Sequence, residues 1–180
     1  MSKKKDYYEK MIAYNNYAKT QDVFHIPVKG ESTGTFGRDF EIRVRWMLGN
    51  YRCKNLISDK KGIDTRKKIN GILSNCEFKQ RCSTIGEYKN GYDYFPMINS
   101  KYICYCMQYL PQMTETEIAN NTFILETETF IKVLKDLNLI RRNTKRIELQ
   151  IQVFYTSKKR TDAFYNALKD NSVFMLKDII

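Results

Sequence analysis

Asp64, Glu77 and Lys79 are the residues of this chain whose types and spacing suit chemistry beside a phosphate. They lie in Gly62-Ile63-Asp64 and in Cys76-Glu77-Phe78-Lys79-Gln80, with Asn70-Gly71 between the two stretches. Glu77 and Lys79 are two apart on a predicted strand, so both side chains point to one face. Asn75 and Arg81 extend that polar face, while Cys76 and Phe78 point the other way into a core, with Gln80 on their side. Asn-Gly is the strongest short signal for a two-residue hairpin. Folding back there brings Asp64 toward Glu77 at one end of a sheet. Two converging carboxylates suit a hard cation such as Mg2+ or Mn2+. A lysine beside them orients or helps deprotonate a cation-bound water and offsets charge on a phosphate.

Other chemistries have little to work with. The single histidine, His25, sits in a strand-like apolar stretch, so His pairs, His–metal cages and Ser–His relays are excluded as the basis of a reaction. Five cysteines are an odd number for a closed disulfide framework, and no apolar export segment follows the basic start, so reduced thiols in a cytoplasm are expected. Cys104-x-Cys106 and the pair Cys76 and Cys82 lack the knuckle turn and the histidine of zinc sites. The 180 residues carry 31 Lys plus Arg against 20 Asp plus Glu, a net charge of +11 that attracts polyanions. No apolar run nears the roughly 20 residues that span a bilayer, and the only Trp is Trp46, so nucleic acid is expected rather than a membrane.

The elements that must position these residues follow from periodicity. Apolar spacing predicts a helix over 4–19, then a loop, then a second helix capped by Thr35 and running to Leu48 with Phe36, Phe40, Val44 and Met47 on one stripe. Gly49-Asn50 ends it. Strands are predicted over 51–57, 63–69 and 72–82, a long loop over 83–100, and a buried strand over 102–107. Thr114 and Glu117 form a capping-box pattern for a short helical turn. A strand at Phe123–Leu125, a helix over 128–138, a half-buried strand over 147–155 and a last helix around Ala163–Leu168 complete the chain. With no repeat and no linker, one α/β domain with a mixed sheet is expected over 1–180, with 1–20 as an N-terminal helix and 101–180 as the remainder of the sheet and helices.

An Asp, a hairpin-length gap, then Glu-x-Lys with an apolar x resembles the motif of the PD-(D/E)XK nucleases, the restriction-endonuclease-like superfamily. The resemblance covers residues 35–82, with Asp64, Glu77, Phe78 and Lys79 at the motif positions and Ile63 where the family's name has Pro. It implies a three-layer domain, a mixed central sheet flanked by helices, to which the N-terminal helix is an addition. It also implies that Asp64 and Glu77 hold Mg2+ or Mn2+ with the carbonyl of Phe78 and that Lys79 positions the attacking water. Glu41, on the upstream helix, would complete or support the site as the family's added carboxylate. Completing that fold calls on the helix over 128–138 and the strand over 147–155, which leaves the strand near 102–107 as an insertion or added edge. The activity implied is an endonuclease acting on DNA phosphodiesters, of a size that suits work as a dimer.

The basic residues are placed accordingly. Arg38, Arg43 and Arg45 flank Glu41; Lys60, Lys61, Arg66, Lys67 and Lys68 flank Asp64; with Arg81 they are expected on phosphates. Lys158, Lys159 and Arg160 start the last helix, where cations oppose the macrodipole unless a phosphate rests there. Arg141-Arg142 follows a predicted helix C-terminus and needs no such partner. Tyr88, Tyr92, Tyr94 and Phe95 in the predicted loop either pack it down or stack on bases. Two rivals remain: a non-cutting binder of nucleic acid or of a nucleic-acid-processing complex, such as a phage- or mobile-element-encoded inhibitor of a host defence nuclease, and an RNA-directed module.

Overall fold

The computed structural model describes residues 33–49, 63–81, 83–107, 109, 113–153 and 157–180. The predicted helix over 4–19, the predicted strand over 51–57, His25, Lys60, Lys61 and the side chain of Arg38 lie outside the described residues. Helix α1, Thr33–Met47, starts two residues before the expected cap. Of its predicted stripe, Phe40, Val44, Met47 and the following Leu48 are buried, and the side chain of Phe36 lies outside the described residues. Gly49, at φ 73, turns the chain away in a conformation that glycine adopts without strain.

Strands β1 (Thr65–Ile69) and β2 (Ile72–Gln80) form the expected hairpin, with Ile69 opposite Ile72. Asn70 and Gly71 have φ of 51 and 78, the two positive values of a type I′ turn. The predicted loop over 83–100 is instead a second hairpin, β3 (Thr84–Lys89) with β4 (Tyr92–Tyr94), followed by a 3-10 turn at Pro96–Asn99. Its turn is again Asn-Gly, Asn90 and Gly91 at φ 53 and 84. A register irregularity between Thr84 and Gly86 blurs the two-residue period that would have announced the strand. Gly86 is required there, because a Cβ at that position would collide with the backbone carbonyl of Tyr94.

Strand β5 (Tyr102–Cys106) is the strand expected to be an insertion or added edge, and this expectation is wrong. It lies at the centre of a five-stranded mixed sheet, β1-β2-β5-β6-β9, with all five residues buried. It runs parallel to β2 and antiparallel to β6 (Thr122–Glu126), which pairs with the short β9 (Phe174–Met175). The segment expected to complete that sheet, β8 (Glu148–Ile151), belongs to a separate antiparallel sheet, β4-β3-β8-β7. Its outer partner β7 (Ile140–Asn143) takes in Arg141 and Arg142, which sequence placed just after a helix. The remaining helices are α2 (Glu115–Asn121), closed by the Thr114–Glu117 capping box, α3 (Thr127–Asp136) and α4 (Lys158–Asn171).

Alternation along the central strands divides the interior in two. Cys76, Phe78, Cys104, Cys106 and Ile124 pack with α1 and α2 through Phe40, Val44 and Ile118. Ile103, Tyr105, Phe123 and Leu125 pack on the other face with α3, α4 and the second sheet through Phe130, Leu134, Phe164, Ile85 and Leu149. Both faces of the central strands are covered, which is why β5 and β6 read as unbroken apolar runs. The architecture is α/β, with one mixed and one antiparallel sheet and four helices among the described residues. None of these helices is long and apolar enough to cross a membrane.

Candidate functional site

The site forms where β1 stops pairing with β2. Thr65 is the first paired residue of β1, opposite Cys76. One residue earlier, the Asp64 N–H still donates to the carbonyl of Cys76 at 2.9 Å, and its carboxylate accepts the N–H of Phe78 at 2.6 Å. A side chain thus replaces a rung of the ladder and pins Asp64 against β2. Because N–H and C=O of one residue leave a strand on the same edge, the Phe78 carbonyl also faces the Asp64 side.

Glu77 is buried, and its Oε1 accepts from the Lys79 ammonium at 2.5 Å. Its Oε2 is also buried and finds no hydrogen-bond partner among the described residues. Glu41 reaches in from α1 and is ion-paired at 2.5 Å with Arg45, one helical turn on. The same Arg45 Nη2 donates to the Asp64 carbonyl at 2.6 Å and lies 4.0 Å from its carboxylate. Helix and hairpin are therefore joined through one guanidinium.

Glu41, Asp64, Glu77 and Lys79 lie within electrostatic reach of one another, with Glu41 and Asp64 joined through Arg45 and Glu77 paired with Lys79. Burial first, and then the Asp64 charge, push the Glu41 carboxyl up to about 7 against the pull of Arg45. Burial pushes Glu77 up to about 7 as well, with Lys79 opposing and Asp64 assisting. Burial alone would lower Lys79, but Glu77, Asp64 and Glu41 outweigh it and hold the ammonium above its usual range. Lys79 is thus a protonated group, a donor and counter-charge rather than a proton acceptor. No protein-family model, curated protein or solved structure matches the chain.

The donors fit a hard divalent cation in kind: carboxylate oxygens, a backbone carbonyl, and a buried Glu77 oxygen lacking any donor. They are not gathered into a ready-made cage, for no group of three or more His, Cys, Asp or Glu among the described residues stands close enough to hold an ion. Arg45 and Lys79 supply the positive charge in this form of the site.

Arg45 departs from expectation. It is 2% exposed and its guanidinium is engaged inside the site, so it is an internal partner of the carboxylates rather than a surface contact for phosphate. Spacing carried the signal, since Glu41 and Arg45 are four apart on a helix. Lys67 also turns inward, its ammonium donating to the Leu48 carbonyl at 3.0 Å just beyond the end of α1. Arg66 and Lys68 are exposed on β1, and Lys158, Lys159 and Arg160 are exposed in the first turn of α4. Arg81 is half-buried at φ 43, with its N–H on the Cys106 carbonyl. Gln80 faces α1 rather than Lys79, with its amide near Gly37.

A buried network that sequence did not single out lies two residues along α1. Arg43, buried rather than set out for a phosphate, donates to the Tyr109 hydroxyl at 2.9 Å and to the Met113 carbonyl, and the Tyr109 hydroxyl donates to Asp39. Burial and the Asp39 charge drive the Tyr109 phenol far above its usual range. Asp39 and Arg43 share the four-residue spacing of Glu41 and Arg45, and that was its only trace in the sequence.

Proposed function

We propose that this chain is a divalent-cation-dependent nuclease acting on DNA through a site of the PD-(D/E)XK kind, on a three-layer fold of the restriction-endonuclease type. The observation that carries the reading is that Glu41 and Asp64 share Arg45, while Asp64 is pinned to β2 beside the Glu77–Lys79 pair at the point where β1 parts from β2. Asp64, Glu77 and the Phe78 carbonyl would hold Mg2+ or Mn2+, with Glu41 completing the set. Such a cation, when bound, supplies hydroxide near neutral pH and neutralises charge on the phosphate. Lys79, kept protonated by its carboxylate neighbours, places a positive charge and a proton where a phosphate oxygen would sit. Asp64 fixes the edge of β2 so that the Glu77 side chain and the Phe78 carbonyl keep one geometry. Arg45 holds Glu41 and Asp64 in place while no cation is bound, and its grip must loosen for Glu41 to serve as a ligand.

The test is a nicking assay on supercoiled and branched DNA with Mg2+ or Mn2+, beside a gel shift on the same preparations. Wild type should cut, and Asp64→Asn and Glu77→Gln should bind DNA but not cut. A second reading, a binder of nucleic acid or of a nucleic-acid-processing protein on the same fold, is favoured by one observation: Arg45 and Lys79 already neutralise the carboxylates. Wild-type protein that binds and never cuts would establish it.

A further inference from the structure

The β1–β2 hairpin extends beyond the sheet that carries the site. Strand β5 begins opposite Cys76 and the Asn75 carbonyl still accepts the Lys101 N–H at 3.0 Å, so residues 72–74 of β2 lie past the last rung and form a two-stranded ribbon with β1. The two faces of this ribbon differ. Ile69 and Ser74 are buried on one face, where Lys67 is tied to the Leu48 carbonyl. The other face pairs Lys68 with Leu73 and Arg66 with Asn75, and Lys68, Leu73 and Arg66 are exposed. By strand alternation this open face is the one that bears Glu77 and Lys79, about 13 Å along from Leu73 at roughly 3.3 Å per residue. Thr65–Asn75 holds Arg66, Lys67 and Lys68 and no acidic residue. Ile72 and Leu73, at the tip, are 61% and 60% exposed.

Basic side chains, an apolar tip and the width of a two-stranded ribbon match one kind of partner, since the major groove of B-DNA admits such a ribbon. We propose that the β1–β2 ribbon is an arm that lies in the major groove of a DNA duplex by its open face, with Arg66 and Lys68 on flanking phosphates and Leu73 against base edges. This rests on the reading that the chain acts on DNA, and it names the duplex as the form gripped. The arm leads along one strand face from the groove to Glu77, so a duplex seated on it presents its backbone to the site.

The test is anisotropy of a short fluorescent duplex and of its single strand with the full chain. Arg66→Ala with Lys68→Ala should weaken duplex binding about tenfold or more and flatten the log–log salt slope by about 2, the loss of two phosphate contacts. Leu73→Ser should weaken duplex binding about threefold or more with the slope unchanged, and both variants should melt within about 2 °C of wild type, since the changed side chains are exposed. Dimethyl sulfate should find guanine N7, in the major groove, protected by wild type. Unchanged duplex affinity in both variants, protection confined to adenine N3 in the minor groove, or equal loss on the single strand would each overturn the arm. Hydrolysis of a small aryl phosphodiester with Mn2+ keeps the two proposals apart. Its absence from wild type, with the footprint intact, would sink the nuclease and leave the arm standing.

Discussion

Asp39–Arg43 and Glu41–Arg45 are two carboxylate–guanidinium pairs on one helix, each at four-residue spacing and each with a fully buried arginine. Their surroundings differ. The first pair is joined by the Tyr109 hydroxyl and the Met113 carbonyl. The second meets two further carboxylates, Asp64 and Glu77, and shares them with Lys79. The first network ties the helix to Tyr109 and Met113, whereas in the second three carboxylates share two cationic side chains, Arg45 and Lys79. One helix therefore carries an anchor and the edge of the proposed site two residues apart, and the anchor sets the rotation at which Glu41 approaches Asp64.

The sharpest way to break the contrast is to remove each arginine. Arg43→Ala strands a buried Asp39 and should cost about 3–5 kcal/mol in urea denaturation at neutral pH. Arg45→Ala should cost clearly less at pH 6, because Glu41 can take up a proton instead. Equal losses would mean that the two pairs are alike.

Relieving the crowding of carboxylates should act in the opposite direction. Glu77→Gln should stabilise the cation-free protein at pH 8 by about 1–3 kcal/mol while abolishing cleavage, since it deletes a carboxylate held unfavourably ionised. A destabilised Glu77→Gln would show instead that its bond to Lys79 outweighs the repulsion.

The pH response gives a third test. Glu41 and Glu77 release their protons near 7 when folded against 4.5 for free carboxyls, so the folded chain binds more protons between those values. Their contribution to stability is full below about 4.5 and is lost as pH rises through 7. On the proposed reading a bound divalent cation would replace those protons, so Mn2+ should raise the melting temperature more at pH 8 than at pH 5.5. The increment should vanish in Asp64→Asn. The Asp39–Arg43 pair should be indifferent to the ion, so Asp39→Asn should keep the Mn2+ increment if it folds.

The smallest expected effect separates the two Asn-Gly hairpins. Gly71→Ala and Gly91→Ala each place a Cβ at positive φ with open space around it, which should cost about 1–2 kcal/mol by thermal melting. Only Gly71→Ala should also lower cleavage, because only its hairpin sets the register of Asp64 against Glu77.

Local chemistry was enough to determine α1 and its buried stripe, the Asn70-Gly71 turn, the sidedness of Glu77 and Lys79, the Thr114–Glu117 cap and the apolar strand at Tyr102–Cys106. Each depends on a period or a dihedral preference written within a few residues. The hairpin at Thr84–Tyr94 was hidden because a register shift breaks its alternation, although its Asn90-Gly91 turn carries the same signal as Asn70-Gly71. Which sheet each strand joins was not legible: β5 is central and β8 stands apart through pairings between residues distant in sequence. The same holds for the charges. Spacing puts Arg43 and Arg45 within reach of Asp39 and Glu41, but only the tertiary fold brings Tyr109 to one pair and Asp64 with Glu77 to the other. Long-range packing thereby decides which ion pair is joined by a tyrosine and which by further carboxylates.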